Sequence, residues 1–259
     1  MVKQMRHAGG YLNPLEAEVI FFDKGGTLSK PVSGRDDGGI PQFRRIMELI
    51  GAAGDPGEFG EKMTAGDRAY KKWAMKSWIE LNEEERCSRF LLPGYPPETV
   101  IPHAREITLL FSHSKGVREL RPEALPVIRA LRQRGYRLGV ISNTVSTVLV
   151  PGELEDAGIT PWIETLVMSS VTGIRKPDPR MFTEAARSLK VPPESAVYIG
   201  DQPNRDVEGP RRAGFGLNII LKTSNYPEGK DLPDLQIPDI TVDRLEDLLD
   251  LFEEREERR

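Results

Sequence analysis

Residues 19–28 read Val-Ile-Phe-Phe-Asp-Lys-Gly-Gly-Thr-Leu. Four apolar residues stop at Asp23, and a glycine pair, Gly25-Gly26, follows. A short apolar run closed by a turn reads as a buried strand. A carboxylate at such a strand end can serve as a nucleophile or as a metal ligand. Glycines beside it let backbone amides approach an anion. Taken alone, the stretch reads equally well as a solvated turn that begins with Asp.

The pattern recurs outward from this point. Apolar runs over 138–141, 165–168, 196–199 and 217–221 predict four more strands, with a weaker sixth over 240–242. Helical segments alternate with them. Residues 122–134 carry Leu125, Ile128 and Leu131 at helical spacing, with Gly135 just past the end. A helix over 179–189 starts from Asp178 and Pro179. Another over 207–213 ends at Gly214, and a last one, from 242 or 243 to 252, carries Leu245, Leu248, Leu249 and Phe252 on one face. Regular strand–helix alternation predicts right-handed crossovers. The fold class is therefore α/β, a Rossmann-like three-layer core with a mainly parallel sheet. In such sheets ligands bind beyond the carboxyl ends of the strands.

Residues 31–115 show no convincing strand. Helices are predicted over 42–50, 62–81 and 98–111, the second with Tyr70, Trp73, Ala74, Trp78 and Leu81 sharing a face. The block reads as a small helical domain inserted into a discontinuous core of residues 1–30 and 116–259. Gly38-Gly39 and Ser114-Lys115-Gly116 are the expected hinges. Residues 253–259 read as a charged, frayed helix end.

Composition narrows the class. The chain has 259 residues, 38% hydrophobic and 29% charged, which is one large domain or two small ones in the globular range. A net charge of −4 gives no reason to expect nucleic acid or an anionic membrane as partner. A single cysteine, Cys87, fits a reducing compartment. The N-terminal segment lacks the apolar core of a signal peptide, and no run approaches the ~20 apolar residues of a membrane span. The expectation is a soluble cytoplasmic protein; nothing in the sequence sets its oligomeric state.

Three further strand ends carry chemically capable residues. Ile141-Ser142-Asn143-Thr144 offers a hydroxyl for a phosphate oxygen, though Ser and Asn are ordinary turn residues. Arg175-Lys176-Pro177-Asp178-Pro179 puts a lysine beside a helix start, where it can neutralise a phosphoryl group. Gly200-Asp201-Gln202-Pro203-Asn204-Arg205-Asp206 offers two carboxylates suited to an oxygen-rich Mg²⁺ site, or a capped helix start.

In this order and placement the four pieces resemble the motifs of the haloacid dehalogenase (HAD) superfamily of hydrolases, from Val19 to about Val242. The helical insert falls where one class of that family carries its cap. The resemblance implies Mg²⁺-dependent phosphoryl transfer on a small phosphorylated metabolite. Asp23 attacks phosphorus and becomes an aspartyl phosphate. Ser142 and Lys176 hold the phosphoryl oxygens, with Lys24, Gly25 and Asn143 among the phosphate-binding residues. Asp23, Asp201, Asp206 and the backbone carbonyl of Gly25 form the metal site.

One position departs from the pattern. Family phosphatases carry a second Asp two residues after the nucleophile, which protonates the leaving group and then activates water. Here that position is Gly25. General acid–base catalysis contributes about 10²–10⁴-fold. Substrates with good leaving groups, acyl or aryl phosphates, are therefore expected to react best. The stretch also resembles the Asp-Lys-Thr-Gly-Thr motif of P-type ATPases, which are phosphorylated without a carboxylate at the third position. Lys24 is expected to point away from Asp23, since neighbours on a strand alternate faces. His103 and His113 are candidate substitute acids, against the plainer reading of exposed or capping histidines. Lys71, Lys72 and Lys76 are candidates for Schiff-base chemistry like that of the family's phosphonate hydrolases, against solvated helix lysines. Two alternative functions follow. One is a catalytically weak or inactive member that binds a phosphorylated ligand or partner. The other is a dehalogenase or related carbon-centred hydrolase, disfavoured because Gly200-Asp201 is retained.

Overall fold

The computed structural model describes residues 3–4, 13–32, 36–116, 118–224 and 226–254. The expected frayed end falls mostly at 255–259, outside the described residues, as does most of the segment read for a signal peptide.

Nine strands occur among the described residues, in chain order: β1 (Lys3–Gln4), β2 (Val19–Phe22), β3 (Ser29–Pro31), β4 (Arg118–Leu120), β5 (Arg137–Ser142), β6 (Thr165–Met168), β7 (Ala196–Gly200), β8 (Leu217–Leu221) and β9 (Ile240–Val242). Seven form one sheet in the order β1-β9-β8-β7-β2-β5-β6. Only the short β1 runs antiparallel, on β9; every other pair is parallel. β2 lies at the centre with Phe22 level with Val140 of β5 and Ile199 of β7. The chain leaves β2 for β5 on one side and later returns to β7 on the other. That reversal opens a crevice over the carboxyl end of β2.

All four β2 residues are fully buried, and they alternate faces. Ile20 and Phe22 pack with Val127, Ile128 and Leu131 of the helix Ala124–Gln133. Val19 and Phe21 pack with Met181, Phe182 and Ala185 of the helix Pro179–Ser188. Burying a side chain of this size contributes about 1.5–3 kcal/mol, so this strand is fixed from both sides.

Between β3 and β4 the chain builds helices Ile40–Ile50, Pro56–Ser77 and Ala104–Ser114, with shorter turns between. They enclose their own apolar cluster of Phe43, Ile46, Met63, Leu91, Ile107 and Phe111. β3 and β4 pair antiparallel at the neck of this unit. The two expected hinges meet there: a Cβ on Gly39 would lie 2.6 Å from Cβ of Ser114. No helix among the described residues is long and apolar enough to cross a membrane.

Several boundaries differ from expectation. The helix expected over 62–81 starts earlier, capped by Asp55, and ends at Ser77, because Trp78 takes a left-handed φ of 57°. Ile79 then bridges Ile174, flanked by hydrogen bonds from Glu80 to Gly173 and from Arg175 to Trp78, and Phe90 replaces Trp78 in the aromatic cluster with Tyr70 and Trp73. The helix expected over 98–111 breaks into Pro97–Val100, a 3-10 turn Ile101–His103 and Ala104–Ser114, since Pro102 has no N–H to donate. The helix expected over 207–213 divides into Pro203–Asp206 and Glu208–Arg212, and the last helix is a 3-10 turn followed by Leu248–Leu251. β3, β4 and the helix Leu149–Asp156 were not expected.

Candidate active site

The crevice over β2 gathers the ends of three central strands. Asp23 follows β2, and its N–H donates to the Ile199 carbonyl at 2.8 Å. Ser142 ends β5 and Asp201 follows β7. Lys176 arrives from the loop before the helix Pro179–Ser188. Asn143 fixes it there, its Oδ1 accepting from the Lys176 N–H at 2.9 Å and its Nδ2 donating to the Lys176 carbonyl at 3.1 Å. Asn143 therefore spends its side chain on Lys176.

The Lys176 amine is fully buried and donates to Asp23 Oδ1 at 2.6 Å, Asp206 Oδ1 at 2.9 Å and the Tyr198 hydroxyl at 2.6 Å. Asp206 is equally buried, and its Oδ2 accepts from the N–H groups of Asp201 and Gln202 at 3.2 and 3.0 Å. Burial works against its charge, but Lys176 and Arg205 hold its carboxyl below the usual range. Asp201 has no such lysine. Burial, then the charges of Asp23 and Asp206, push it up to about 7.

Asp23, Asp201 and Asp206 each offer an oxygen within 4.8 Å of the others. Oδ2 of Asp23 is buried and lacks a hydrogen-bond partner among the described residues. Arg205 borders the three, 3.3 Å from Asp201 Oδ1, 3.4 Å from Asp206 Oδ2 and 3.7 Å from Asp23 Oδ2. Three ionised carboxylates against two cations leave the cluster one positive charge short of neutral. Gly26 allows this closeness: at φ 104°, a Cβ there would lie 2.1 Å from Asp201 Oδ2.

A cavity of about 690 Å³ opens on this cluster, lined by Gly25, Ser142, Asn143, Asp201 and Arg205 among others. Lys24 also lines it, but its amine pairs with Glu153 rather than Asp23. A second space of about 740 Å³ lies between the helical unit and the core and shares Lys71, Arg118, Asn143 and Glu153 with the first. His113 lines that second space; His103 lines neither.

Sequence reasoning had assembled Asp23, Ser142, Lys176, Asp201 and Asp206, which the structure brings together. It had missed Tyr198, hidden inside an apolar run, and Arg205, read as a spacer. It had also missed Glu80, which accepts hydrogen bonds from Tyr70 of the helical unit and from Ser169 and Arg175 of the core.

The haloacid dehalogenase-like hydrolase family matches residues 17–214. This chain belongs to the haloacid dehalogenase-like hydrolases. A phosphoserine phosphatase of Thermus thermophilus is 33% identical over 200 residues, covering 76% of each chain. A glyceraldehyde 3-phosphate phosphatase of Methanopyrus kandleri is 35% identical over 133 residues, 51% of this chain and 56% of that protein. The match thus spans little more than half of the Methanopyrus protein. In fold, this HAD-like hydrolase is similar to a 2-haloacid dehalogenase of Pseudomonas syringae, with TM-score 0.65, 23% identity, and 91% and 97% of the two chains covered.

Proposed function

We propose that this HAD-like hydrolase is a Mg²⁺-dependent phosphohydrolase of a small phosphorylated metabolite, with Asp23 as nucleophile. The observation that carries this reading is the asymmetry of Asp23. One carboxylate oxygen is held by Lys176, and the other is buried without a hydrogen-bond partner, 3.7 Å from Arg205 and beside two further carboxylates. An all-oxygen, acidic donor set suits a hard divalent cation, so the residues present fit Mg²⁺. Asp23, Asp201 and the Gly25 carbonyl would hold it, with Asp206 orienting the set. Bound there, Mg²⁺ supplies charge neutralisation for the phosphoryl oxygens.

The chain's own residues do the rest. Lys176 aims Asp23 through its hydrogen bond, and it and Ser142 bind phosphoryl oxygens. Asp23 forms a bond to phosphorus as the ester P–O bond breaks. Water then attacks the aspartyl phosphate, releasing inorganic phosphate and the free carboxylate. Asn143 supports the reaction by holding the Lys176 backbone, and Lys24 braces the cavity wall through Glu153. The helical unit acts as a cap over the second space and sets specificity. The phosphatase names of the two relatives support a small phosphate ester as substrate. Buried Cys87, the sole cysteine, suits a reducing, cytoplasmic setting without nucleic acid or membrane as partner.

The test is phosphate release from acyl, aryl and alkyl phosphates, with and without Mg²⁺, beside Asp23→Asn. Release that needs both Mg²⁺ and Asp23 is expected. One observation favours a second reading: Gly25 leaves the site without its acid, as in a weak or inactive phosphate-binding protein. No release from any substrate, with phosphate still raising the melting temperature, would establish that reading instead. Metal-independent halide release from haloacids would establish the carbon-centred alternative.

A further inference from the structure

Gly25 lacks a side chain, yet its backbone would accept one. Its φ is not among the left-handed ones. A Cβ built there meets one atom within 4 Å, Nη2 of Arg118 at 3.9 Å. The guanidinium of Arg118 is thus the group that a side chain at 25 would meet first, at ordinary van der Waals distance. Arg118 comes from β4, across from Pro31 of β3. Gly25 bridges Ser29 of β3, whose hydroxyl accepts from Arg118 Nε at 3.5 Å. The cation is therefore anchored to the loop that carries Asp23, although it lies far along the chain.

The other cations around this cavity, Lys30 apart, are engaged. Lys24 pairs with Glu153, Lys71 with Asp67, Lys222 with Asp243 and Arg205 with the acidic cluster. Arg121 donates to the Gly26 carbonyl at 3.0 Å. Lys30 does not approach position 25. Among the described residues no carboxylate pairs with Arg118. The described lining also holds no histidine, and its two acids, Glu153 and Asp201, face Lys24 and Arg205. The cavity offers a fixed positive charge where a proton donor would be expected.

We propose that Arg118 serves the leaving-group side of the reaction as a fixed charge rather than as an acid; this rests on the phosphohydrolase reading above. Asp23 lies buried at the strand end, so in-line displacement sends the leaving oxygen outward, into the cavity that Gly25 and Arg118 line. As the P–O bond breaks, its electron pair stays on that oxygen. The guanidinium donates hydrogen bonds to the developing anion without giving up its proton, since Arg stays charged at neutral pH. Water then protonates the departed alkoxide or phenoxide. Arg118 is partly open to solvent, so the donor is worth less than the ~10²–10³-fold of a water-excluded one, about tenfold, and most where most charge develops. It does nothing to activate water in the second step.

The experiment is kcat/KM for the wild type and Arg118→Met across a series from aryl to alkyl phosphates, with folding checked by melting. kcat/KM reports the step that breaks the ester bond. The expected loss grows with the basicity of the leaving group: about tenfold or more on alkyl phosphates, about threefold at most on para-nitrophenyl phosphate. Arg118→Lys, which keeps the charge, should recover part of the alkyl activity. Gly25→Asp, which the backbone admits, should raise alkyl turnover. A loss uniform across leaving groups, or no loss, overturns the proposal, because Arg118 would then be a phosphate anchor, a scaffold residue or a bystander. If the wild type releases no phosphate even from para-nitrophenyl phosphate, or Asp23→Asn still does, the phosphohydrolase reading itself has failed.

Discussion

At the residue scale, Lys176 is the keystone of the buried charge. One amine serves Asp23, Asp206 and Tyr198, and its own backbone is clamped by Asn143. Removing one partner of a buried ion pair leaves the other charged and unsolvated, at a cost of about 3–5 kcal/mol. Lys176→Met should therefore lower unfolding free energy by about that amount in denaturant titrations, besides abolishing turnover. A stable, merely inactive variant would show that burying Asp23 and Asp206 does not depend on the lysine. The motif residues at this scale were legible because each follows an apolar run directly. Arg118 was not, since its meaning comes from Gly25, which no sequence spacing brings near it. Tyr198 was not, because its ring packs in the core on Phe182 and Phe215 while only its hydroxyl reaches the lysine.

At the element scale, the helical unit carries two buried acids with different tasks. Asp67, in the helix Pro56–Ser77, pairs with Arg86 at 2.7 Å and with Lys115. Burial opposes its charge, but Lys115 and Arg86 outweigh burial and hold its carboxyl well below the usual range. A carboxyl depressed in the folded state stabilises above its unfolded pKa, about 3.9, and the benefit is lost as pH falls below it. Wild-type melting temperature should therefore hold down to about pH 4 and drop as the pH falls further, towards about 2. Asp67→Asn should be less stable by about 3 kcal/mol at neutral pH, with the gap closing in acid. A gap independent of pH would remove Asp67 from the account. Glu80 links elements instead, joining Tyr70 to Ser169 and Arg175, one residue before Lys176. Glu80→Ala strands three donors, so a loss of about 2–4 kcal/mol is expected, together with weaker phosphate binding measured by calorimetry. Unchanged phosphate affinity would show that the lysine loop is set by the core alone. The long helices were legible from their periodicity. β3 and β4 were not, since three-residue strands hold too few positions for a period of two to register.

At the scale of the whole molecule, the order of the apolar runs sufficed to predict the parallel core, because β2, β5, β7 and β8 are buried on both faces and read as continuous hydrophobic stretches. The strand order, with β2 between β5 and β7, explains why residues far apart in sequence converge on Asp23. How the helical unit sits on the core was illegible, as it depends on contacts such as Glu80 with Arg175. The same arrangement sets the kinetics expected of the enzyme. With Asp201 and Asp206 given to the metal site and no histidine in the described lining to activate water, forming the aspartyl phosphate should outpace its hydrolysis. The most direct measurement is an acid quench of the protein within the first turnovers on para-nitrophenyl phosphate and Mg²⁺, with nitrophenol counted and the phosphorylated peptide mapped by mass spectrometry. The account predicts a burst close to one nitrophenol per enzyme and one phosphoryl group on Asp23, both absent in Asp23→Asn. Steady turnover with no burst and no phosphorylated Asp23 would contradict it.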